Sequence, residues 1–424
     1  MEVAGVDGRC QWASVMNQTV EVRRTPDSSE SIQNTLGTSH TDQPVMHKNH
    51  IRLIGLPYHS RTMPESTPRH AANLLDLDFH ELPKNWHPPA PIIDVHSHIH
   101  GTDAVRCYRE IAAAYGITLT YSMTPLPEVE TVRQIMGDRI RFIATPEFGN
   151  PDRKYAHGKG YQERIREFHR LGSRIVKFWA APRGRDYGEE SGDRLLLDLS
   201  HPERRAVMDV ASELGMMFMT HIADPDTWFK TRYSDSSFYG TKLEQYESLE
   251  AALDTYSQPW IAAHMGGWPE NLPMLDGLLE RHDNLYLDTS ATKWVVRELS
   301  KHPRDVFIDF LQRWKGRILF GSDIVTRDEH FAPPVEDNPD MPPQATSPEE
   351  AWDLYASRYW ALRTLFESDY DGPSPIADPD LMMVEPERYG PLDSPNLKGH
   401  SIPESLLKSI YHDAAMDLLE PLES

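Results

Sequence analysis

The chain has 424 residues, of which 39% are hydrophobic, so it can bury a substantial core. Its 65 acidic residues outnumber its 43 basic residues and give a net charge of -22, which argues against a nucleic-acid or anionic membrane surface. Two cysteines do not make a disulfide framework, and no apolar window has the length of a membrane span. Since the first residues lack a basic stretch followed by an apolar run, we expect a soluble, cytoplasmic protein.

The first 90 residues show little of the pattern of a folded domain. Residues 1–45 are polar and without periodicity, so we predict a disordered N-terminal extension. Residues 46–90 carry scattered apolar groups and many prolines, as in "ELPKNWHPPAP", and we predict an arm that packs on the domain after it. That domain is predicted to span residues 91–424.

From residue 91, short apolar runs alternate with longer helical patterns. The eight runs predicted as strands are "PIIDV", "ITLTYS", "RIRFIAT", "RIVKFW", "MMFMTH", "WIAAH", "NLYLDTS" and "RILFGSD". Strands separated by helices pair in parallel, and eight such units over roughly 230 residues predict an α/β fold, the (β/α)8 TIM barrel. A doubly wound open sheet is the structural alternative. The segments "AWDLYASRYWALRTLFES" and "SIPESLLKSIYHDAAMDLLE" predict C-terminal helical additions.

Side chains that bind metals or transfer protons stand at the ends of five predicted strands. They are His96 and His98 after the first strand, Lys177 in the fourth, His221 after the fifth, His264 after the sixth and Asp323 after the eighth. Active sites of barrels lie at the carboxyl ends of the strands, so these side chains are expected around one axis. Each residue alone has a plainer structural interpretation, such as a hydrogen-bonded histidine or a turn-forming aspartate. Their joint placement is what predicts a metal site.

The predicted ligands also indicate a metal and a chemistry. Imidazole nitrogens with one carboxylate suit Zn2+, with Mn, Fe and Co as the other candidates. Such an ion makes a bound water more acidic and polarises a carbonyl group, and Asp323 is expected to touch the metal and take the proton of the water. The histidines away from predicted strand ends, among them His100, His157 and His282, are interpreted as surface groups.

Four segments carry a resemblance to a known family. "DVHSHIH", "AAHMGGW", "LYLDTSAT" and "ILFGSDIV" resemble the amidohydrolase superfamily, in particular its amidohydrolase-related branch of decarboxylases and of lactone and amide hydrolases. The resemblance covers about residues 91–420. It implies that one divalent metal ion is bound by His96, His98, His221 and Asp323. It also implies that His264 is the acid/base group.

The resemblance leaves two roles open for Lys177. It is either a carboxylated bridge to a second metal or a lysine that lies near the site without ligating, and the second role is the one we expect. The segment after the fifth strand would overhang the site, so Trp228 is a candidate substrate contact, with packing on the rim as the alternative. The candidates for binding a substrate carboxylate are Arg183, Lys293, Arg297 and Arg327.

Together these expectations describe a metal-dependent hydrolase that acts on a C–N or C–O bond of a small organic substrate. Non-oxidative decarboxylation of an aromatic or muconate-type acid on the same metal is the first alternative. A metal-binding protein without turnover is the second. A homodimer is a common assembly for soluble chains and is compatible with this sequence.

Overall fold

The structure, a computed structural model, describes residues 70–333 and 343–423. The predicted disordered extension, residues 1–45, lies outside the described residues, as do residues 46–69 of the predicted arm. Within the described ranges, no helix is both long enough and apolar enough to cross a bilayer.

Parallel strands form one curled sheet. They are β1 (Ile92–His98), β2 (Ile117–Ser122), β3 (Ile140–Ala144), β4 (Ile175–Trp179), β5 (Met217–His221), β6 (Trp260–Ala262), β7 (Leu285–Asp288), β8 (Ile318–Leu319) and β9 (Ile324–Val325). Neighbours follow the sequence from β8 back to β1, and β9 lies on the other side of β1. This sequential order excludes the doubly wound alternative, in which the strand order reverses.

The eighth predicted strand, residues 317–323, is shortened to β8, and a separate strand, β9, begins directly after its predicted end; the two strands join opposite edges of the sheet. β8 pairs with β7, whereas β9 pairs with β1. Between them, the Val95 amide donates to the Phe320 carbonyl at 2.9 Å and the Asp323 amide donates to the His96 carbonyl at 2.8 Å. These bonds give the sheet a barrel-like curl, as the alternation of strands and helices predicts.

Helices connect the strands and extend the C-terminal part. They are α1 (Asp103–Ala114), α2 (Val129–Met136), α3 (Arg153–His157), α4 (Lys159–Arg170), α5 (Gly184–Glu189), α6 (Pro202–Glu213), α7 (Asp226–Phe229), α8 (Ser236–Tyr239), α9 (Gln245–Thr255), α10 (Leu272–Arg281), α11 (Thr292–Leu299), α12 (Arg304–Arg313), α13 (Pro348–Glu367), α14 (Pro379–Val384), α15 (Glu404–Lys408) and α16 (Ala414–Glu423). A short antiparallel pair, β10 (Asp371–Pro373) and β11 (Asn396–Lys398), lies between α13 and α15 in the sequence. The helix α13 begins where "SPEE" predicts, because the Ser347 hydroxyl accepts from the Glu350 amide.

The strands place polar side chains directly beyond an apolar layer. Successive side chains of a strand alternate faces, so residues two apart share a face. Three such pairs, each with its first member in one apolar cluster, are Ile175 and Lys177 in β4, Met219 and His221 in β5, and Tyr286 and Asp288 in β7. In β1, a register shift between Asp94 and Ser97 re-aims the side chains that follow. The polar groups therefore collect at the carboxyl ends of the strands.

Residues 70–90 lie against α13. Phe79 is buried and meets Trp360 edge-on, with ring centroids 6.4 Å apart. The Asn73 amide donates to Asp353 at 2.9 Å, and the His80 ring stacks on Trp352 at 3.9 Å.

Candidate metal centre

Two histidines of β1 and one aspartate after β8 bring three ligand atoms together. The Nε2 atoms of His96 and His98 lie 3.4 and 3.3 Å from the same oxygen, Oδ1 of Asp323. Ligand atoms about 2.0–2.1 Å from a tetrahedral ion stand about 3.3–3.4 Å apart. The Asp323 oxygen is thus spaced from each nitrogen as a fellow ligand of one ion, and all three atoms lie within 4.8 Å of one another. The donor set of two imidazoles and a carboxylate fits Zn2+, Mn, Fe or Co.

Asp323 reaches this position through an uncommon backbone conformation. Its φ angle is 59°, in the left-handed region that aspartate tolerates better than most residues. The charges and hydrogen bonds of His98 and His96 outweigh burial and hold the pKa of Asp323 far below its usual range. The carboxylate is therefore ionised, as a metal ligand must be.

His221 lies next to this trio without joining its tight spacing. In the part of the chain that the structure describes, the clusters with all ligand atoms within 4.8 Å of one another include His96 and Asp323 but not His221. Nε2 of His221 bonds to Asp224 at 3.0 Å, and Nδ1 is buried with no hydrogen-bond partner among the described residues. A buried nitrogen without a partner is unusual, and a metal ion would satisfy it. Asp224 would then orient the ring.

Asp288 at the end of β7 holds both His96 and His264. Its Oδ2 accepts from Nδ1 of His96 at 2.8 Å, and its Oδ1 accepts from the His264 amide at 2.8 Å. Because Nδ1 of His96 donates in the first bond, Nε2 keeps its lone pair and can act as a metal ligand beside Oδ1 of Asp323. Burial opposes the charge of Asp288, but the charge of His96 and its hydrogen bond keep the pKa of Asp288 well below its ordinary value.

Ser290 connects the same carboxylate to the ring of His264. Its hydroxyl donates to Oδ1 of Asp288 and lies 2.7 Å from Nδ1 of His264. Because the hydroxyl hydrogen is used by Asp288, Nδ1 of His264 is the donor in the second bond. Nε2 of His264 is left for proton exchange. Sequence reasoning missed Asp288 and Ser290, although "NLYLDTS" places a carboxylate at a strand end, the same signal that selected Asp323.

His264 stands beside two of the predicted ligands. Its ring centroid is 5.0 Å from that of His96 and 4.5 Å from that of His221. β6 ends at Ala262, two residues before the predicted end, and His264 takes a left-handed conformation with φ of 61°. Burial, followed by the charge of His221, holds the pKa of His264 well below its ordinary value, so its ring is neutral near pH 7.

Lys177 points into the same cluster from β4. Its Nζ lies 3.3 Å from Nε2 of His96. Burial lowers the pKa of Lys177 to about 8, against the opposing charges of Asp288 and Asp323. This position is compatible with either role that the resemblance leaves open.

The predicted carboxylate binders separate into different environments. Arg297 is buried, and its guanidinium already contacts Glu298 at 2.6 Å, Asp378 and Asp380. Arg297 thus already has three carboxylate partners in the protein, and its contact with a substrate stays a prediction. The pairing was invisible in the sequence because Asp378 lies 81 residues away.

Of the other three, Arg183 caps the start of α5, Arg327 follows β9, and Lys293 is the second residue of α11. All three are half-buried.

Trp228 in α7 is half-buried and belongs to an aromatic group after β5. Its indole donates to Asp380 at 2.8 Å, and its ring meets that of Tyr233 at 5.8 Å. The Tyr233 hydroxyl donates in turn to Asp224 at 2.7 Å. The segment expected to overhang the site is thus bonded to the carboxylate that holds His221.

Three histidines interpreted as surface groups are in fact enclosed. His157 is buried, His282 is nearly so, and Nε2 of His100 is buried. His100 lies two residues after the end of β1, and its ring lies 6.5 Å from that of His98. Burial lowers the pKa of His100 to about 3. The period-two pattern that selected His96 and His98 continues to His100, and that signal was overlooked.

No family model matches the chain, and no curated protein matches it. The chain does match solved structures, at low identity. A probable 2-pyrone-4,6-dicarboxylic acid hydrolase from Acinetobacter baumannii has 12% identity and a TM-score of 0.37, covering 70% of this chain and 99% of its own.

A 2,6-dihydroxybenzoate decarboxylase from Rhizobium has 15% identity and a TM-score of 0.35, covering 69% of this chain and 95% of its own. A 5-carboxyvanillate decarboxylase from Novosphingobium aromaticivorans, solved with manganese, has 14% identity and a TM-score of 0.34, covering 73% and 78%. Identities and TM-scores this low carry no information on function, which has to be inferred from the side chains described above.

Proposed function

We propose that this chain is a metal-dependent hydrolase that cleaves a C–N or C–O bond of a small organic substrate. The observation that carries the proposal is the trio of His96, His98 and Asp323, in which the Asp323 oxygen lies 3.3–3.4 Å from each histidine nitrogen, with the imidazole of His264 beside it. A cluster of this kind at the carboxyl ends of parallel strands is where barrel enzymes carry out their chemistry.

The trio and Nδ1 of His221 would hold one divalent ion, with Zn2+ favoured by the ligand types. When bound, the ion supplies an acidified water and polarises the substrate carbonyl. Asp288 fixes His96 through Nδ1, so that Nε2 faces the ion without rearrangement. Lys177 stays a non-ligating amine in this proposal, 3.3 Å from His96.

Proton transfer falls to Asp323 and His264. Asp323 presents Oδ1 to both histidines of β1, and its carboxylate accepts the proton of the attacking water. His264 is neutral, and its Nδ1 carries the proton that Ser290 accepts, so Nε2 is a proton acceptor. That nitrogen would take up the proton that Asp323 received from the water and then deliver it to the leaving group.

The experiment that tests this proposal follows both the metal and the product. Elemental analysis of the purified chain should give about one divalent ion per chain. The metal-loaded protein is then incubated with lactones, amides and aromatic or muconate-type acids in water labelled with heavy oxygen. Label in the organic product supports hydrolysis.

Release of carbon dioxide without label in the product would replace hydrolysis by decarboxylation on the same metal. If the chain binds a stoichiometric metal ion but converts none of these compounds, the alternative of a metal-binding protein without turnover would be supported.

A further inference from the structure

Two cations on neighbouring helices have no carboxylate partner. Lys293 in α11 and Arg358 in α13, hereafter the cation pair, make no ion pair within 4.0 Å to any residue that the structure describes. The Arg358 guanidinium donates to the neutral hydroxyl of Ser357 at 3.1 Å. In a chain with a net charge of -22, two neighbouring cations without an acidic partner are unexpected.

Helix geometry turns Arg358 toward the carboxyl end of the sheet. Tyr355, one turn earlier in α13, bonds through its hydroxyl to the Arg327 amide at 3.2 Å and to His330 at 2.7 Å. Residues three apart share a helix face, so Arg358 lies on the side of α13 from which Tyr355 contacts the segment after β9.

Electrostatic coupling connects the cation pair to the metal trio. Burial lowers the pKa of Arg358 to about 10, and the charge of Asp323 opposes this shift. Burial lowers the pKa of Lys293 to about 8, and the charge of Arg358 adds to this effect. Geometry places the pair on the same side of the molecule as the trio: both cations are half-buried, and the ring of Trp294, next to Lys293 in α11, lies 5.7 Å from that of His264.

The acidic groups nearest to the pair are already engaged. Asp378 and Asp380 raise the pKa of Lys293, but both contact the guanidinium of Arg297. Asp323 is shared by His96 and His98. Half-buried cations without a counter-charge are less stable than paired ones, and an anion from outside the chain would supply the counter-charge.

We propose that Lys293 and Arg358 bind an oxyanion group of the substrate, a carboxylate or a phosphate ester, next to the reacting bond. The proposal rests on the proposed function, because it takes Asp323 as part of the reacting centre. The guanidinium of Arg358 offers a fork of donors to two oxygens, and Lys293 adds a point charge. The substrate class is thus narrowed to organic anions.

Binding of simple anions tests this proposal without a known substrate. The full chain loaded with Zn2+ is titrated calorimetrically with isophthalate, with phenyl phosphate and with the neutral isophthalamide. We expect one or both anions to bind more tightly than isophthalamide. Lys293→Met and Arg358→Met should each weaken anion binding about tenfold or more, as expected for a lost hydrogen bond to a charged group.

Matched controls separate this effect from general charge loss. Lys315→Met and Arg166→Met remove exposed cations elsewhere and should change the affinity less than twofold. Arg358→Lys keeps the charge and should retain most of the affinity for anions. If Arg358→Met does not fold, the comparison of Lys293→Met with Arg358→Lys still decides the test. Zinc content and Tm are measured for every variant.

The outcomes distinguish this inference from the proposed function. Equal affinity for isophthalamide and both anions, or unchanged anion affinity in both Lys293→Met and Arg358→Met, overturns the oxyanion site whatever the enzyme hydrolyses. Anion binding that is lost in the variants supports the site even if no compound is hydrolysed. The anion that binds more tightly identifies the group as carboxylate or phosphate ester.

Discussion

The metal-side cluster, made of His96, His98, His264, Asp288, Ser290 and Asp323, differs from the cation pair in how its polar atoms are satisfied. In the cluster, side chains form hydrogen bonds with one another. The carboxylate of Asp288 alone accepts hydrogen bonds from His96, the His264 amide and Ser290. The cation pair is half-buried, and it has no carboxylate ion-pair partner among the described residues. The cluster is organised before any ligand arrives, whereas the pair lacks its counter-charge.

This difference assigns separate tasks to the two regions. Bonds that fix ring orientation in advance suit a centre where atoms must be placed within tenths of an ångström for chemistry. Unpaired cations suit recognition, because the ligand itself completes the interaction. Variants of the cluster should therefore change metal content or turnover, and variants of the pair should change anion affinity with the metal retained.

The largest expected effect comes from removing both histidines of β1. His96→Ala combined with His98→Ala takes away two of the three closely spaced ligand atoms, so bound metal should fall below detection and turnover should vanish. Elemental analysis of the purified variant measures this, with the exposed His87→Ala as the control. A full equivalent of metal in the double variant would place the site elsewhere.

The next largest effect is expected for His264→Asn. It removes the proton-transfer ring but no atom of the trio, so metal should be retained. Turnover of whichever compound proves active should fall on the order of 10²-fold or more. Steady-state kinetics beside metal analysis shows both, and undiminished kcat would exclude an acid/base role for His264.

A matched pair of carboxylate variants compares the two sides of the metal centre. Asp288→Asn should weaken metal affinity by about 10–100-fold, the range for a carboxylate that orients a ligating histidine. Asp224→Asn, which loosens His221, should have the smaller effect because His221 lies outside the closely spaced trio. Competition with a metal chelator gives both affinities. The reverse order would make His221 the dominant ligand.

The smallest expected effect is the pH dependence of anion binding. Burial lowers the pKa of Lys293 to about 8, with Arg358 adding to the shift and Asp378 and Asp380 opposing it. An anion prefers the protonated amine, so affinity is full below that pKa and falls as pH rises through it, by up to about tenfold per pH unit. Calorimetry with isophthalate between pH 7 and 9 measures this change in binding free energy, which is on the order of RT ln 10 per pH unit. Lys293→Met should flatten the profile, and a slope that persists in this variant would assign the titration to another group.

Much of the architecture follows from local patterns in the sequence. Alternating apolar runs and helical stretches predicted a parallel α/β sheet, and the strand order follows the sequence as expected for a barrel. The "SPEE" segment predicted the start of α13 because capping depends on neighbouring residues alone. The positions of His96, His98 and Asp323 at strand ends were readable for the same reason, since period-two alternation fixes where a side chain points.

What the tertiary structure decided is which of these side chains meet. The sequence suggested Arg297 and Lys293 as equivalent cations four residues apart on one helix. Contacts with residues some eighty positions away occupy Arg297 and leave Lys293 without a carboxylate. Likewise, Asp288 holds His96 across 192 residues of chain. Local pattern determines the direction of a side chain, but pairing depends on distances between elements that are remote in sequence and that only packing brings together.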